Sequence, residues 1–185
     1  MADIDYKKLF EHMHPDFFEK EYIRNIPEGE IYSEMVLKPD SFDPGIYGKK
    51  FAGNITFGVY DGDLNRLHDA VEKVIPHWIP FFTEYSEVYC GYVDGLVASF
   101  CMIEDMGTYE ENGVTYKIGG PGCVGTLPEY RNLGIGLTMV RDVTNIFKER
   151  GYDLSYIHYT GVPQWYAKLG YRTVLTWDSR TILTC

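Results

Sequence analysis

The sequence predicts an α+β fold, in which helices flank a mixed but mostly antiparallel central sheet. Two hairpin dipeptides, Asp94-Gly95 and Asn112-Gly113, separate runs of residues that favour strands. A third such run, over 114–127, leads into an amphipathic helix that opens with Gly134 and Gly136, and another strand follows. These observations predict an antiparallel meander and then one parallel β-α-β unit around the glycine-rich helix.

Length and composition predict a single domain over residues 1–185, in which 1–54 is the least interpretable part. The chain has 185 residues, 45% of them hydrophobic and 16% aromatic, and it contains no internal repeat or linker. The first ten residues lack the apolar core of a secretory signal, and no apolar run approaches the ~18 residues that span a bilayer. We therefore expect a cytoplasmic protein without a membrane partner.

The N-terminal part predicts short helices over 6–13 and 16–26, followed by strands at 35–37 and 55–60. Asp63 is placed to cap the next helix. The apolar face of that helix recurs at helical spacing until a proline ends the pattern, and it comprises Leu64, Leu67, Val71, Val74 and Ile75.

The central part predicts strands over 87–93, 96–103 and 114–127. The third contains Gly119-Gly120-Pro121-Gly122, which an ordinary central strand would not tolerate. Proline cannot donate to a strand ladder, and glycines mark bulges or close backbone approach. We therefore expect this strand to bend, to carry a bulge and to part from its neighbour.

The C-terminal part begins with the glycine-rich helix, which Gly151 ends. Its apolar face comprises Ile135, Met139, Val140, Val143, Ile146 and Phe147. A strand over 154–159, a short helix over 160–168 and strands over 171–177 and 180–183 complete the prediction.

The formal net charge of −10 at pH 7 argues against a nucleic-acid partner, which needs basic stripes. So acidic a surface either steers cationic small molecules or basic peptides towards the protein, or simply keeps it soluble. Both interpretations stay open. The oligomeric state stays open too, a homodimer included.

Metal chemistry has little support in the sequence. His12 and His14 could hold an ion in principle, but we interpret them as a solvated pair. The four cysteines stand far apart and form no C-x-x-C pair, so we expect free thiols and no metal: Cys90, Cys101, Cys123 and Cys185.

The two glycines at the start of the long helix indicate an anion site. The first turn of a helix presents unpaired N–H groups and the positive end of the helix dipole. Glycines allow a phosphate to approach these groups closely. A P-loop would need Gly-Lys-Ser/Thr, which is absent, and a dinucleotide fingerprint would need glycine at Met139. The remaining interpretation is the pyrophosphate loop of an acyl-CoA enzyme.

Two motifs carry a resemblance to a known family. Arg131-x-x-Gly134-x-Gly136 resembles the R/Q-x-x-G-x-G/A motif of the GNAT superfamily of acyl-CoA-dependent N-acyltransferases. Trp165-Tyr166-Ala167-Lys168-Leu169-Gly170-Tyr171 resembles the family's aromatic-Tyr-x-x-Leu-Gly-Phe/Tyr signature. Residues 55–177 fit the family's order of elements, whereas 1–50 do not align. The resemblance implies a GNAT-like sheet with splayed central strands and a β-bulge before the glycine-rich helix.

The resemblance also implies acetyl-CoA as co-substrate and Tyr166 as the group that protonates the departing thiolate. Arg131 would help form the loop, and many relatives have Gly-Lys where this chain has Asn132-Leu133, so a phosphate-facing lysine is missing. Tyr159 or Thr160 replaces a frequent asparagine before the short helix. The implied cofactor-binding residues are Val124, Thr126, Arg131, Asn132, Leu133, Gly134, Ile135, Gly136, Leu137 and Thr138.

An amine acceptor also needs a base, because an amine of pKa about 10 is neutral in only ~1 molecule in 10³ at pH 7. Counting from the Asn112-Gly113 turn places Glu104 opposite Pro121, beside the expected bend. Glu104 is therefore our first candidate. Three further candidates stay open: Asp105, Glu87 and His158.

The predicted function is transfer of an acetyl group from acetyl-CoA to a primary amine by direct attack in a ternary complex. The acceptor would be a small cationic amine, an amino acid or a peptide. A path through an acylated Cys123 is a less favoured variant. Two other classes remain: a CoA-binding sensor without catalysis, and a nicotinamide oxidoreductase, which rests on the glycine pair alone.

Overall fold

The computed structural model describes residues 4–185, so the first three residues of the stretch searched for a secretory signal lie outside the described residues. The strands are β1 (Tyr32–Leu37), β2 (Ile55–Val59), β3 (Val88–Val93), β4 (Leu96–Glu111), β5 (Val114–Thr126), β6 (Leu154–Thr160), β7 (Arg172–Trp177) and β8 (Ile182–Thr184). The α-helices are α1 (Tyr6–Met13), α2 (Glu21–Arg24), α3 (Leu64–Glu72), α4 (Ile135–Glu149) and α5 (Pro163–Tyr166). Short 3₁₀ turns occupy Phe17–Glu19, Pro39–Ser41, Pro76–Phe81, Pro128–Tyr130 and Ala167–Leu169.

The strands form one open, mixed sheet of eight, in the order β2-β3-β4-β5-β6-β1-β7-β8. Every neighbouring pair is antiparallel except β5 and β6, which are parallel and are joined by α4. This confirms the predicted α+β class with its single β-α-β unit. The parallel pair lies in the middle of the sheet.

Helices cover both faces of the sheet. On one face, α4 packs Val143 against Ile103 of β4 and Val140 against Ile157 of β6, so it bridges the two halves of the sheet. On the other face, α3 covers β3 and β4, while α1 and the residues that follow it cover β6, β1 and β7. The buried residues thus form several clusters around the central pair.

Strands β5 and β6 separate after two paired positions, Ile118 with Leu154 and Gly119 with Ser155. Gly120 sits at the point of divergence, where a methyl group would collide with the carbonyl oxygen of Tyr156. Beyond it, Cys123 has a φ of 45° and gives β5 one residue more than β4. The predicted splay and bulge are therefore confirmed.

A second bulge, between Asp105 and Gly107 on β4, changes the predicted register. Glu104 pairs with Gly120, and Ile103 pairs with Pro121, so the prediction that Glu104 lies opposite Pro121 is wrong by one residue. The reason is that β4 carries an extra residue here, which counting from the turn cannot detect.

Some predicted helix ends also differ. The first α-helix matches its prediction at 6–13, but 16–26 divides into a 3₁₀ turn and α2, because Lys20 is extended between them. The α3 helix ends at Glu72, before Val74 and Ile75. The helix predicted from residue 160 begins at Pro163, which suits a first helical position.

One absence can be stated for residues 4–185: none of their helices combines the length and the apolar character needed to cross a membrane.

Candidate active site

A cleft of about 520 Å³ opens where β5 and β6 have parted, at the N-terminal end of α4. Most of the residues implied by the two sequence motifs line it: Val124, Thr126, Arg131, Asn132, Gly134, Ile135, Gly136, Leu137 and Tyr166. Two implied residues do not. Leu133 is outside the lining, with 44% of its surface exposed, and Thr138 is buried.

The first turn of α4 offers three unpaired backbone donors to this cleft. Gly134 caps the helix with a φ of 81°, and no side chain caps it. The N–H of Thr138 donates to the carbonyl of Gly134 at 3.1 Å, so the N–H groups of Ile135, Gly136 and Leu137 have no partner among the described residues. Such a turn binds anions.

Gly136 has a second role that the sequence alone did not reveal. A methyl group at this position would stand 2.6 Å from Oγ1 of Thr126. That hydroxyl lies 2.9 Å from Oγ of Ser99, which donates to the carbonyl of Gly125 at 2.6 Å. Glycine therefore lets α4 lie directly on the end of β5, in addition to leaving the first turn bare.

Arg131 holds the loop between β5 and α4 in place. Its Nε donates to the carbonyl of Thr126 at 3.2 Å, across the turn that Pro128–Tyr130 forms. Asn132 follows in the left-handed region with a φ of 64°. These contacts fit the structural role that the resemblance implied for Arg131.

Lys49 supplies a positive charge at the start of α4, although the sequence has leucine at the expected lysine position. Its Nζ lies 3.1 Å from the point that a Cβ of Gly134 would occupy. No carboxylate pairs with it within residues 4–185, and its one charge-related contact is with the ring of Phe51 at 5.7 Å. A lysine at the positive end of a helix is unfavourable unless an anion joins it.

Tyr166 stands in the cleft wall with only 7% of its surface exposed. Burial, followed by the neighbouring Cys101 and Tyr171, raises its pKa far above the ordinary value of 10.0. The phenol therefore stays protonated at neutral pH and can donate a hydrogen bond to a developing thiolate.

Glu104 approaches the gap from the face of the sheet opposite α4. Its carboxylate lies over Gly122 of β5, where Oε2 is 2.7 Å from the point that a methyl group would take. Glycine at 122 therefore makes room for this side chain. Burial raises the pKa of Glu104 above 4.5, and the nearby His158 partly opposes the shift. Glu104 does not line the cleft itself.

Two of the other candidate bases lie away from the gap. Glu87 accepts two hydrogen bonds from Arg150, at 2.7 and 2.6 Å, beside the C-terminal end of α4. Asp105 is exposed and accepts from the N–H of Gly107 at 2.9 Å within the β4 bulge. His158 lies three residues past the last β5–β6 pair, so it remains a candidate base beside the gap.

Glu34 of β1 is a buried carboxylate that the sequence analysis missed. It is 0% exposed and accepts from Nδ1 of His158 at 2.9 Å, from the N–H of Tyr159 at 3.2 Å and from Nε1 of Trp177 at 2.7 Å. Burial alone would raise its pKa, but the hydrogen bond and charge of His158, with bonds from the other neighbours, hold it below 4.5. No local signal could identify it, because its partners lie far along the chain.

His14 is not the solvated residue that we predicted. It stacks on His158 with ring centroids 3.8 Å apart and an interplanar angle of 19°. The reason is that α1 buries Phe10 against the sheet and carries His14 with it. Burial, followed by repulsion from His158, lowers the pKa of His14 to about 3.

The nitrogens of His14 and His158 and a carboxylate oxygen of Glu34 lie within 4.8 Å of one another. The two rings are nearly parallel, so their lone pairs do not converge on one point, as metal ligands require. All four cysteines are free. The absence of a metal stays a prediction.

Residues 83–174, from before β3 into β7, match a family model described as an acetyltransferase (GNAT) domain. The chain is similar in structure to the glucosamine N-acetyltransferase region of a fungal multi-domain GH3 β-N-acetylglucosaminidase, with a TM-score of 0.69 and 18% identity over 96% of this chain and 23% of that one. It is also similar to two GCN5-related N-acetyltransferases. For the one from Kribbella flavida the TM-score is 0.56 and the identity 17%, over 90% of this chain and 63% of that one. For the one from Sphaerobacter thermophilus the TM-score is 0.55 and the identity 15%, over 97% of this chain and 58% of that one. No curated protein matches the sequence.

The chain spans less than two thirds of each of these three structures, and at such identities the likeness shows the fold. The family model covers the parted strands, the glycine-rich helix and Tyr166. Together with the open mixed sheet and this cleft, the match identifies residues 83–174 as a GNAT acetyltransferase domain.

Proposed function

We propose that the protein transfers an acetyl group from acetyl-CoA to a primary amine, by direct attack of the amine on the thioester in a ternary complex. The observation that carries the proposal is the gap between β5 and β6. One end of it meets the bare first turn of α4, and its wall holds the protonated phenol of Tyr166. On the opposite face of β5 lies the Glu104 carboxylate, whose pKa is raised, so an anion site, an acid and a base flank the same pair of strands.

The backbone provides the binding surface in this scheme. The free N–H groups of α4 receive the pyrophosphate of CoA. The open edge of β5 at Val124 and Thr126 hydrogen-bonds the pantetheine arm in the manner of an added strand. A backbone N–H beside the Cys123 bulge then polarises the thioester carbonyl, a contribution of roughly 2.7–4 kcal/mol where such donors have been removed from other enzymes.

The side chains move the protons. Glu104 accepts a proton from the amine as its nitrogen bonds to the carbonyl carbon, and burial makes this carboxylate a stronger base than an exposed one. The C–S bond then breaks, and the phenol of Tyr166 hydrogen-bonds or protonates the sulfur. A thiol of pKa about 8.5 leaves tolerably well, so this help is useful rather than essential.

Charge supports a cationic acceptor in this proposal. A protein with a formal net charge of −10 and a carboxylate beside the gap favours a cationic amine. Small amines, amino acids and peptides with a free amino group all fit this description. Glucosamine is included because the fungal neighbour is described as a glucosamine N-acetyltransferase region.

Thermal unfolding with and without acetyl-CoA tests the proposal. Ligand at a hundred times its dissociation constant should stabilise the protein by ~2.7 kcal/mol, which is roughly 5–10 °C here. CoA release with a panel of amines then tests transfer. No shift at millimolar acetyl-CoA contradicts the proposal. A shift without transfer to any amine favours the sensor, and a shift with NADH alone favours a nicotinamide enzyme.

Tyr166→Phe should lower kcat by about 10²- to 10⁴-fold and leave the KM for acetyl-CoA almost unchanged, because only the donor to the departing sulfur is lost. Tyr171→Phe is the matched control. Its buried hydroxyl bonds Thr144 and Ser155, at 2.9 and 2.7 Å, so its loss should cost about 1 kcal/mol of stability and little activity. Equal kcat values for the two variants would remove the acid role of Tyr166.

Lys49→Ala should weaken acetyl-CoA binding about tenfold, equivalent to about 1.4 kcal/mol, because it removes the cation that joins the pyrophosphate. Lys50→Ala is the control, since this neighbour is also exposed and is not among the atoms nearest to Gly134. Calorimetric titration of both variants measures the difference. Equal dissociation constants would show that Lys49 does not bind the phosphates.

A further inference from the structure

A buried carboxylate lies outside the acetyl-transfer scheme. Glu34 is 0% exposed, and the residues matched by the family model do not include it. Removing a carboxylate from water costs several kcal/mol unless its partners compensate. A neutral amide could accept the bonds from Tyr159 and Trp177 equally well, so a negative charge at this position serves the third partner, His158.

His158 is held on three sides. Nδ1 lies 2.9 Å from Glu34, His14 stacks on one face of the ring, and the ring of Phe17 meets it at 73° with centroids 5.4 Å apart. An Nδ1–H that donates to the carboxylate leaves the lone pair on Nε2. Among residues 4–185, Nε2 has no hydrogen-bond partner, and 24% of the side chain is exposed. The pair therefore presents a base to solvent.

This base faces the same side of the sheet as Glu104. Ile157 of β6 packs under α4 while Tyr156 packs under α1, and His158 shares the face of Tyr156 because side chains alternate along a strand. On β4, Ile103 packs under α4, so Glu104 also faces away from that helix. The two side chains thus flank the parted strands on the face of the sheet opposite α4.

We propose that His158 receives, through solvent, the proton that Glu104 removes from the acceptor amine, and that Glu34 is the positioning residue that orients the ring and stabilises the imidazolium. This inference rests on the proposed function. The proton first passes from the amine nitrogen to a Glu104 oxygen. The O–H bond then breaks as an Nε2–H bond forms, which restores the Glu104 carboxylate. The proton leaves Nε2 to water, and the cycle consumes no other reactant.

The position of Glu34 favours this transfer. Its carboxylate, 2.9 Å from Nδ1, stabilises the imidazolium that forms when Nε2 takes the proton from Glu104. The titratable groups that face the ring are His14 from the α1 side, Glu34 from β1, Glu104 from β4 and the phenols of Tyr156 and Tyr159. With a pKa of about 3, His14 is neutral and does not compete for the proton.

Kinetics of His158→Ala and Glu34→Gln provide the test. With acetyl-CoA saturating, His158→Ala should lower kcat about 10- to 100-fold, leave the KM for acetyl-CoA unchanged and recover when imidazole is added to the buffer. Glu34→Gln removes the negative charge, so the imidazolium is less stable and kcat should fall in this variant too. His68→Gln is the control, because His68 bonds the carbonyl of Phe82 beside α3, away from the gap.

An NMR titration of His158 separates this inference from the proposed function. Its pKa should fall in Glu34→Gln whether or not an acceptor has been found, and an unchanged pKa overturns the positioning role. If the wild-type protein transfers acetyl groups but His158→Ala keeps the full kcat, the relay is wrong. A loss of kcat that imidazole does not restore also overturns it, since the ring would then serve the structure only.

Discussion

Replacing Glu104 with glutamine should lower kcat for acetyl transfer by about 10²- to 10⁴-fold, with unchanged binding of acetyl-CoA. Glutamine keeps the shape that lies over Gly122 but cannot accept a proton from the amine. An acceptor of pKa about 10 then has to react from its small neutral fraction. Steady-state rates, with the acetyl-CoA-induced shift in melting temperature as the binding readout, measure both parts of the expectation.

The pH profile sharpens this prediction. A base works when it is deprotonated, so wild-type activity should rise with pH through the pKa of Glu104, which burial places above 4.5. That limb should be absent from the profile of Glu104→Gln. A wild-type rate in this variant would mean that the amine loses its proton elsewhere.

Gly122→Ala gives an independent check without touching the carboxylate chemically. The added methyl group would meet the end of the Glu104 side chain, with Oε2 at 2.7 Å, and a flexible side chain can move aside. We expect a folded protein that binds acetyl-CoA but has reduced kcat, because its base is displaced. Full activity would show that the position of the carboxylate over β5 is unimportant.

Glu34→Ala should have the largest effect on stability, a loss of about 3–5 kcal/mol, or roughly 6–20 °C in melting temperature. The variant leaves the indole N–H of Trp177, the N–H of Tyr159 and the imidazole of His158 without their acceptor in a buried place. Thermal or urea unfolding measures the loss. Glu72→Ala, on the exposed side of α3, should change stability by no more than about 0.5 kcal/mol.

The pH dependence of this stability has a definite sign. Since the pKa of Glu34 lies below 4.5 in the folded protein, its contribution is fully present above that value and is lost as the pH falls through the folded pKa. The acid sensitivity of the wild type should therefore exceed that of Glu34→Gln. Equal acid unfolding midpoints would show that the carboxylate is not ionised when folded.

Local signals allowed much of the fold and part of the site to be predicted. The Asp94-Gly95 and Asn112-Gly113 turns set the antiparallel meander, because each dipeptide fits a tight hairpin. Glycine and proline within β5 indicated the bulge and the splay. The cleft residues beside α4 followed from a motif that is contiguous in sequence.

Features that depend on distant partners could not be predicted. β1 comes from the poorly interpreted N-terminal part, yet it lies between β6 and β7 and carries the buried Glu34. A glutamate in a short strand looks like a solvated residue until its partners on β6 and β7 are known. Lys49 is similar, since its relation to Gly134 depends on how the loop crosses α4.

The parting of β5 and β6 also has a consequence for the protein without its ligand. Past Gly119 and Ser155, β5 and β6 each have an unpaired edge in the interior of the sheet, where a continuous sheet has none. Unpaired edges are templates for misassembly with other chains. Here the gap narrows to a point and the strands bend, so a flat strand from a second molecule cannot enter far. A thin, flexible chain can enter the gap, and there it would take the place of the missing strand contacts.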